Sequence, residues 1–125
     1  PTTVNETRLR QKDYVFGIRQ FGAAKAWSLA MFDGGRVLND AIADRALVLI
    51  GEASGRTVRA YERGDVVFEA GPDAAALVGD GRTWRVTEAA LVADDGAVLP
   101  RVAGHVAYWF AWDGYLGPEA ELVEG

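Results

Sequence analysis

The sequence predicts a mainly β domain: an antiparallel sheet of about eight short strands, curled into a small, partly closed barrel or a sandwich, with one short C-terminal aromatic helix. Fifteen glycines against four prolines indicate many turns between short elements. Between those turns apolar and polar residues alternate, which is typical of strands with one buried face. A chain of 125 residues fits a single domain, and we assign residues 1–125 to it.

The first predicted element is a hairpin that follows a flexible lead-in at residues 1–12. Residues 13–21 alternate in polarity and predict its first strand. A turn at Gly22-Ala23 leads into the second strand, residues 24–30, and Asp33-Gly34-Gly35 makes the next turn. One face of the second strand carries Lys25, Trp27 and Leu29.

The middle of the chain predicts a meander around one buried strand. Asn39-Asp40 is suited to a tight turn, because both side chains bond readily to nearby backbone N–H groups. Residues 45–50 contain an apolar run whose length favours a central strand. Residues 57–63 alternate again, and Gly64-Asp65 is predicted to reverse the chain into a further hairpin strand at residues 66–70.

The third quarter of the chain is less regular. Asp73 is placed to cap one helical turn at residues 74–77, and residues 82–87 predict a short strand. Residues 97–102 predict another strand, which contains Pro100. Because proline cannot donate to a ladder, we expect that strand to lie at an edge.

Residues 104–118 hold five of the thirteen aromatic residues and the only histidine. Gly117-Pro118 suits a helix that ends abruptly, and we favour a helix here. Such a helix is apolar all round and is expected to be buried on more than one side. As a strand, the same stretch would place Tyr108, Phe110 and Trp112 on one face. Residues 119–125 form an acidic tail.

Composition excludes several classes of function. The net charge of −5 and a pI near 4.8 disfavour binding to nucleic acid, which needs a positive surface. The absence of cysteine excludes disulfides, thiolate catalysis and cysteine-ligated metal sites. The longest apolar runs are too short for a transmembrane segment. None of these observations fixes the compartment.

His105 is the first candidate for a functional side chain, because it is the only histidine. A general base or metal ligand needs a partner, such as a carboxylate that orients the ring. Asp113 lies two helical turns further along, and Asp40 could approach only through the fold. The alternative is a histidine at the start of the helix that bonds to the backbone.

Aromatic side chains are the second candidate. Trp27, Trp84, Trp109 and Trp112 would suit a stacking platform for a sugar or base, but core packing is the more common role in a small domain. The predicted aromatic cluster consists of Trp84, Tyr108, Trp109 and Trp112.

Several segments resemble a known family in their order along the chain. They read VFGIRQFGAAKAWSLA, VLNDAI, RAYERG, GRTWRV and HVAYWFAWDGYLGPEAEL. Together they resemble the prokaryotic family catalogued as domain of unknown function 3179, over about residues 13–122. The V-N-D and W-F-A-W motifs carry the likeness. The positions that the resemblance implies this chain shares with the family are Asn39, Asp40, Trp84, His105, Trp109 and Trp112.

The resemblance also shows where this chain departs from its relatives. Many members carry Cys-Pro-Leu-Cys or Cys-Pro-Leu-Thr after the apolar strand, where this chain has Gly51-Glu52-Ala53-Ser54. Relatives often have His-Glu before the V-N-D motif, where this chain has Gly35-Arg36. Because it has no cysteine, this protein cannot carry out any thiol chemistry that its relatives perform. Many members resemble exported or membrane-anchored proteins, which implies an extracytoplasmic location.

We therefore expect a non-catalytic accessory or assembly module of a larger extracytoplasmic complex. It would bind a protein partner or form a homo-oligomer, and it would need no cofactor or metal. The alternative is a metal- or small-molecule-binding protein, or an enzyme, that uses His105 with Asp40 or Asp113.

Overall fold

A computed structural model of the chain describes residues 13–117 and 120–125, so the predicted lead-in at residues 1–12 lies outside the described part. In chain order its elements are β1 (Tyr14–Gln20), β2 (Ala23–Ser28), a 3₁₀ helix (Leu29–Phe32), β3 (Arg36–Ile42), β4 (Arg45–Glu52), β5 (Thr57–Glu62), β6 (Phe68–Ala70), β7 (Ala76–Gly79), β8 (Arg82–Val86), β9 (Ala90–Ala93), β10 (Val98–Val102), β11 (His105–Tyr108), α1 (Trp109–Leu116) and β12 (Glu121–Val123).

The strands form two sheets. Eight of them make an antiparallel sheet in the order β3-β4-β5-β10-β9-β8-β7-β6, whose end strands β3 and β6 contact each other. This sheet is a nearly closed barrel, which confirms the predicted mainly β fold and its barrel. The other four make a small sheet in the order β11-β1-β2-β12, where β12 runs parallel to β2. The total exceeds the predicted eight strands because the small sheet is additional to the barrel.

The small sheet is apolar on both faces, and each face packs on a different layer. One face contributes Phe16, Ile18 and Trp27 to a core that it shares with the outer side of the barrel, where Leu47 and Leu49 are buried. The barrel interior is a separate core. Its buried residues are Val48, Tyr61, Phe68, Leu77, Trp84, Leu91 and Ala93.

Helix α1 covers the other face of the small sheet. Trp109 and Trp112, three residues apart and therefore on one side of the helix, pack on Val15 and Ala26. A Cβ at Gly17 would lie 3.0 Å from the Trp112 ring, so a larger residue would push the ring away from the sheet by a few tenths of an ångström. The molecule thus has three layers: barrel, small sheet and helix.

The Asn39-Asp40 pair lies in the middle of β3, so the turn predicted there is wrong. The chain turns instead at residues 43–44, where Ala43 has a φ of 52°. Turn propensity is a local preference, and tertiary hydrogen bonds made by both side chains override it.

Two further predictions in the middle of the chain are wrong. The turn at residues 64–65 is present, but β5 pairs with β4 and β10, while β6 pairs with β7, so no β5–β6 hairpin forms. The helical turn at residues 74–77 is also absent. Asp73 Oδ1 does accept a bond from the Ala75 N–H (2.8 Å), but the residues from Ala76 onward continue as β7.

The strand that contains Pro100 lies between β5 and β9, not at an edge. Its register with β9 includes Pro100, whereas its register with β5 covers Arg101 and Val102. The proline is tolerated because pairing with β5 begins just after it.

The aromatic stretch contains both predicted alternatives in succession, the strand β11 and the helix α1. The helix is buried on one side, through Trp109 and Trp112, while Phe110 and Tyr115 are exposed, so burial on several sides is wrong. The acidic tail contributes β12 to the edge of the small sheet. No helix in the described ranges is long and apolar enough to cross a membrane.

Candidate functional site

Asn39 closes the barrel. Its side-chain Nδ2 donates to the carbonyl oxygen of Phe68, and its Oδ1 accepts from the N–H of the same residue, both at 2.9 Å. The amide therefore bonds to β6 as a neighbouring strand would, with one donor and one acceptor. We call this contact between β3 and β6 the seam.

Asp40 joins the barrel to the small sheet. Its Oδ2 accepts from the Trp27 indole N–H at 2.7 Å, and its Oδ1 accepts from the Lys25 ammonium at 3.0 Å. Lys25 is only 7% exposed and also donates to the Ala41 carbonyl at 2.8 Å. A buried ammonium is stable only when it is paired, and Asp40 is the nearer counter-ion of Lys25, with Glu121 Oε1 at 3.5 Å as a second, largely exposed one.

The environment of Asp40 favours its charged form. Partial burial would by itself raise the pKa of this carboxyl. The hydrogen bonds from Trp27, Lys25 and the Ala41 N–H outweigh burial and lower the pKa below its usual value. Asp40 is therefore held ionised, as a structural anion requires.

The structure does not bring His105 and Asp40 together. His105 pairs with Gly17 on β1, on the face of the small sheet that α1 covers, and its ring stacks on Trp112 with centroids 6.0 Å apart. Asp40 contacts Lys25 and Trp27 on the opposite face. The side chain of Asp113 lies outside the described part of the helix.

The predicted aromatic cluster is divided between two layers. Trp84 lies in the barrel interior, where its indole N–H donates to the Gly79 carbonyl at 3.0 Å. Trp109 and Trp112 lie between α1 and the small sheet. Tyr108 belongs to neither core, since it is 39% exposed.

Tyr108 is the centre of an exposed stack of rings. It stacks on Tyr14 with centroids 4.4 Å apart and on Phe110 at 5.9 Å. The Arg56 guanidinium lies over the outer side of the Tyr14 ring, 4.3 Å from its centroid. We call Tyr14, Tyr108 and Phe110 the aromatic row.

A pocket of about 870 Å³ opens at one end of the barrel. Its apolar part includes Ile50, Leu77 and Val86, and charged groups of both signs lie around it. We call this opening the barrel mouth. The charged residues that line it are Arg36, Glu52, Arg59, Glu69 and Asp73.

Four of the positions at which the sequence was expected to depart from its relatives, Gly35, Arg36, Gly51 and Glu52, line the barrel mouth. Arg36 pairs directly with Gly51 across β3 and β4. A Cβ at Gly51 would lie 2.5 Å from the Phe32 ring, so the packing of the 3₁₀ helix on β4 depends on glycine at this position. Glu52 Oε1 accepts from both the N–H and the hydroxyl of Ser54, and these bonds lower the pKa of Glu52.

The sequence did not lead us to predict Lys25, Glu52 or Arg59 as residues of a candidate site. A lysine on the same strand face as Trp27 was the available signal, because that face is the buried one. In the same way, alternation places Arg59 on one strand face with Tyr61, whose side chain is buried in the barrel. Among the side chains that the structure describes, which exclude that of Asp113, no group of three or more potential metal ligands occurs.

Comparison with known families gives a match over nearly the whole chain. Residues 1–120 match the family described as protein of unknown function, DUF3179. The chain belongs to the DUF3179 family. No curated protein and no solved structure matches it. In this DUF3179 member Asn39 serves the seam and Asp40 the junction between the sheets.

Proposed function

We propose that this protein is a non-catalytic accessory or assembly module that binds a protein partner through the aromatic row. The observation that carries the proposal is the exposure of stacked rings: Phe110 is 57% exposed and Tyr108 is 39% exposed. Contiguous exposed aromatic surface of this kind is typical of protein interfaces, where tyrosine and phenylalanine are enriched.

The position of the row supports a docking role. Tyr108 ends β11, which is the outer strand of the small sheet among the described strands, and Phe110 follows it at the start of α1. The stacking partners hold the rings in place before any partner arrives, which reduces the entropy lost on binding. The cation over Tyr14 adds a charged rim to an apolar centre.

The polar motif residues support a role without catalysis. Asn39 and Asp40 are fully engaged in contacts that hold the fold together. The contact of His105 is with the Trp112 ring. This arrangement supports binding more than it supports acid–base chemistry, which needs a base within reach of a substrate proton.

The test compares two matched surface substitutions. Phe110→Ser removes the outer ring of the row, and Val98→Ser removes an equally exposed hydrophobic residue on β10, 59% exposed. We expect wild type and Val98→Ser to associate with the same partner, or with themselves, in native pull-down and light scattering. Phe110→Ser should weaken that association roughly tenfold, as for an aromatic anchor residue. A wild-type protein that stays strictly monomeric at high concentration and in cell extracts would contradict the proposal.

The family likeness supports an extracytoplasmic location for this complex. Fusion of the full-length protein to a reporter that is active only outside the cytoplasm tests this part separately. An active reporter is the expected result, and a reporter active only in the cytoplasm would remove the location while leaving the docking proposal intact.

A further inference from the structure

Hydrogen bonds of the Asn39 side chain join β3 to β6 at the seam. Between the seam and the barrel mouth, the described residues of these two end strands are not joined by backbone hydrogen bonds. Asn39 lies near the middle of β3 and bonds to Phe68, the first residue of β6. No backbone ladder joins β3 to β6 within the described residues, although the two strands are in contact. The segments that flank the mouth therefore present strand edges to each other.

Hydrogen bonding of β6 shows which groups its edge presents. The Gly71 N–H donates to the Ala76 carbonyl at 3.1 Å, so Gly71 points its backbone groups toward β7. Backbone groups alternate in direction along a strand. Phe68 and Ala70 therefore point toward β3, and for Phe68 the two bonds to Asn39 show this directly.

The edge of β3 is oriented in the same way. The Arg63 N–H donates to the Ala46 carbonyl at 3.1 Å, which places the even-numbered residues of β4 toward β5 and the odd-numbered ones toward β3. Leu49 pairs with Leu38, so Leu38 faces β4 and Val37 faces the gap. Val37 and Ala70 both line the mouth.

We propose that the barrel mouth binds an extended peptide segment, which pairs with the free edge of β6 at Ala70 and places an apolar side chain into the pocket. Adding a strand to an open sheet edge is a common mode of peptide recognition. The seam already shows that this edge accepts an amide: Asn39 supplies one donor and one acceptor to Phe68, as a peptide group would.

The pocket fits the side chains of such a segment. Its volume of about 870 Å³ lies in the range of ligand sites, and Ile50, Leu77 and Val86 provide apolar surface. The charges around it have both signs, with Arg36 and Arg59 against Glu52, Glu69 and Asp73. A polyanion would meet these carboxylates, whereas a peptide can supply both an ammonium or guanidinium and a carboxylate.

The first experiment screens the purified protein against a positional-scanning library of acetylated, amidated hexapeptides, followed by calorimetry on the selected sequence. We expect selection of a leucine, isoleucine or phenylalanine at one position. Replacing that residue with serine should weaken binding roughly tenfold or more, because a buried apolar side chain contributes that much. The proposal fails if no hexapeptide binds more tightly than about 1 mM.

Two variants locate the site. Ala70→Pro removes the N–H that faces the gap but leaves the ladder to β7, and it should weaken the selected peptide roughly threefold to tenfold. Ala70→Ser keeps the N–H and should bind like wild type. Ala74→Trp places a large ring at an exposed position of the mouth and should block binding without touching a core.

Two further outcomes would overturn the proposal. One is peptide binding that neither Ala70→Pro nor Ala74→Trp weakens, with melting curves showing that both variants fold. The other is saturable binding of decanoate with no binding of any peptide, which would make the mouth a site for small amphiphiles. The site shares no residue with the aromatic row, so either result leaves the assembly proposal standing.

Discussion

Two adjacent residues, Asn39 and Asp40, connect β3 to β6 and to the small sheet. Because side chains alternate along a strand, Asn39 points into the barrel and reaches β6, while Asp40 points out and reaches Lys25 and Trp27 of the small sheet. The Asn39-Asp40 dipeptide therefore combines closure of the barrel with attachment of the small sheet. That structural role explains both side chains without any ligand.

At this scale we expect Asp40→Asn to lower the free energy of unfolding by about 2 kcal/mol at pH 7, because it leaves the buried Lys25 ammonium with only the more distant, largely exposed carboxylate of Glu121 at 3.5 Å. The bonds from Trp27 and Lys25 lower the folded pKa of Asp40 below the unfolded value of about 3.9. Its contribution is thus complete above about pH 4 and is lost as pH falls through the folded pKa. Urea unfolding between pH 7 and pH 2 measures this.

Asp44→Asn is the matched control, since this carboxyl is 92% exposed and lies 3.9 Å from Arg45. It should change stability by less than about 0.5 kcal/mol, as expected of an exposed ion pair. Wild type should lose more stability than Asp40→Asn between pH 5 and pH 2, a range set by the lowered pKa of Asp40. Equal acid sensitivity of wild type and Asp40→Asn would show that Asp40 is not ionised by its partners.

The candidate residues show what a sequence can and cannot reveal about a site. Asn39, Asp40 and His105 stood out by residue type, but their roles depend on partners 13 to 88 residues away: Trp27 for Asp40, Phe68 for Asn39 and Gly17 for His105. Nothing in the local pattern specifies which strand face meets which layer. The partner that each of these side chains contacts could therefore be learned only from the fold.

At the scale of elements, the seam is the weakest join in the barrel, because one side chain replaces a backbone ladder. Asn39→Ala leaves the N–H and the carbonyl of Phe68 without their partner and should cost about 1–2 kcal/mol. We expect the amide of Phe68 to exchange with deuterium much faster in this variant, since β6 can then separate locally from β3.

Hydrogen exchange measured residue by residue provides an internal control. Amides of the central pair β4 and β5 should keep their relative protection, because their ladder does not involve the seam. A uniform loss of protection in every strand would mean that Asn39 stabilises the whole fold and does not act as a local closure.

Element prediction succeeded where one face of a strand is buried and failed where tertiary contacts decide. The alternation of residues 13–21 corresponds to β1, and the apolar run at 45–50 corresponds to the central strand β4. The turn predicted at residues 39–40 is wrong, because these residues lie within β3. The edge position predicted for the strand that contains Pro100 is also wrong, because this strand pairs on both sides. Both rules describe average local preferences, and a partner strand or side chain far away in sequence overrode them.

At the scale of the whole molecule, the order of the chain links the two sheets. Residues 36–102 build the barrel, and the segments on either side of them build the small sheet, so the pairing of β11 with β1 joins two segments that the barrel strands separate in sequence. The core between barrel and small sheet then joins Phe16 and Trp27 to Leu47 and Leu49. This arrangement predicts that the layers unfold as one unit.

Leu49→Ala tests this unity, because Leu49 is fully buried between barrel and small sheet. The substitution should lower the free energy of unfolding by about 3 kcal/mol, as for a buried leucine, while Val98→Ala on the exposed side of β10 should change it by less than about 0.5 kcal/mol. In wild type and in both variants, far-ultraviolet circular dichroism and tryptophan fluorescence should give one coincident midpoint, since Trp27 reports the shared core and Trp84 the barrel. Separate midpoints in Leu49→Ala would show instead that the barrel persists after the small sheet and its helix have come away.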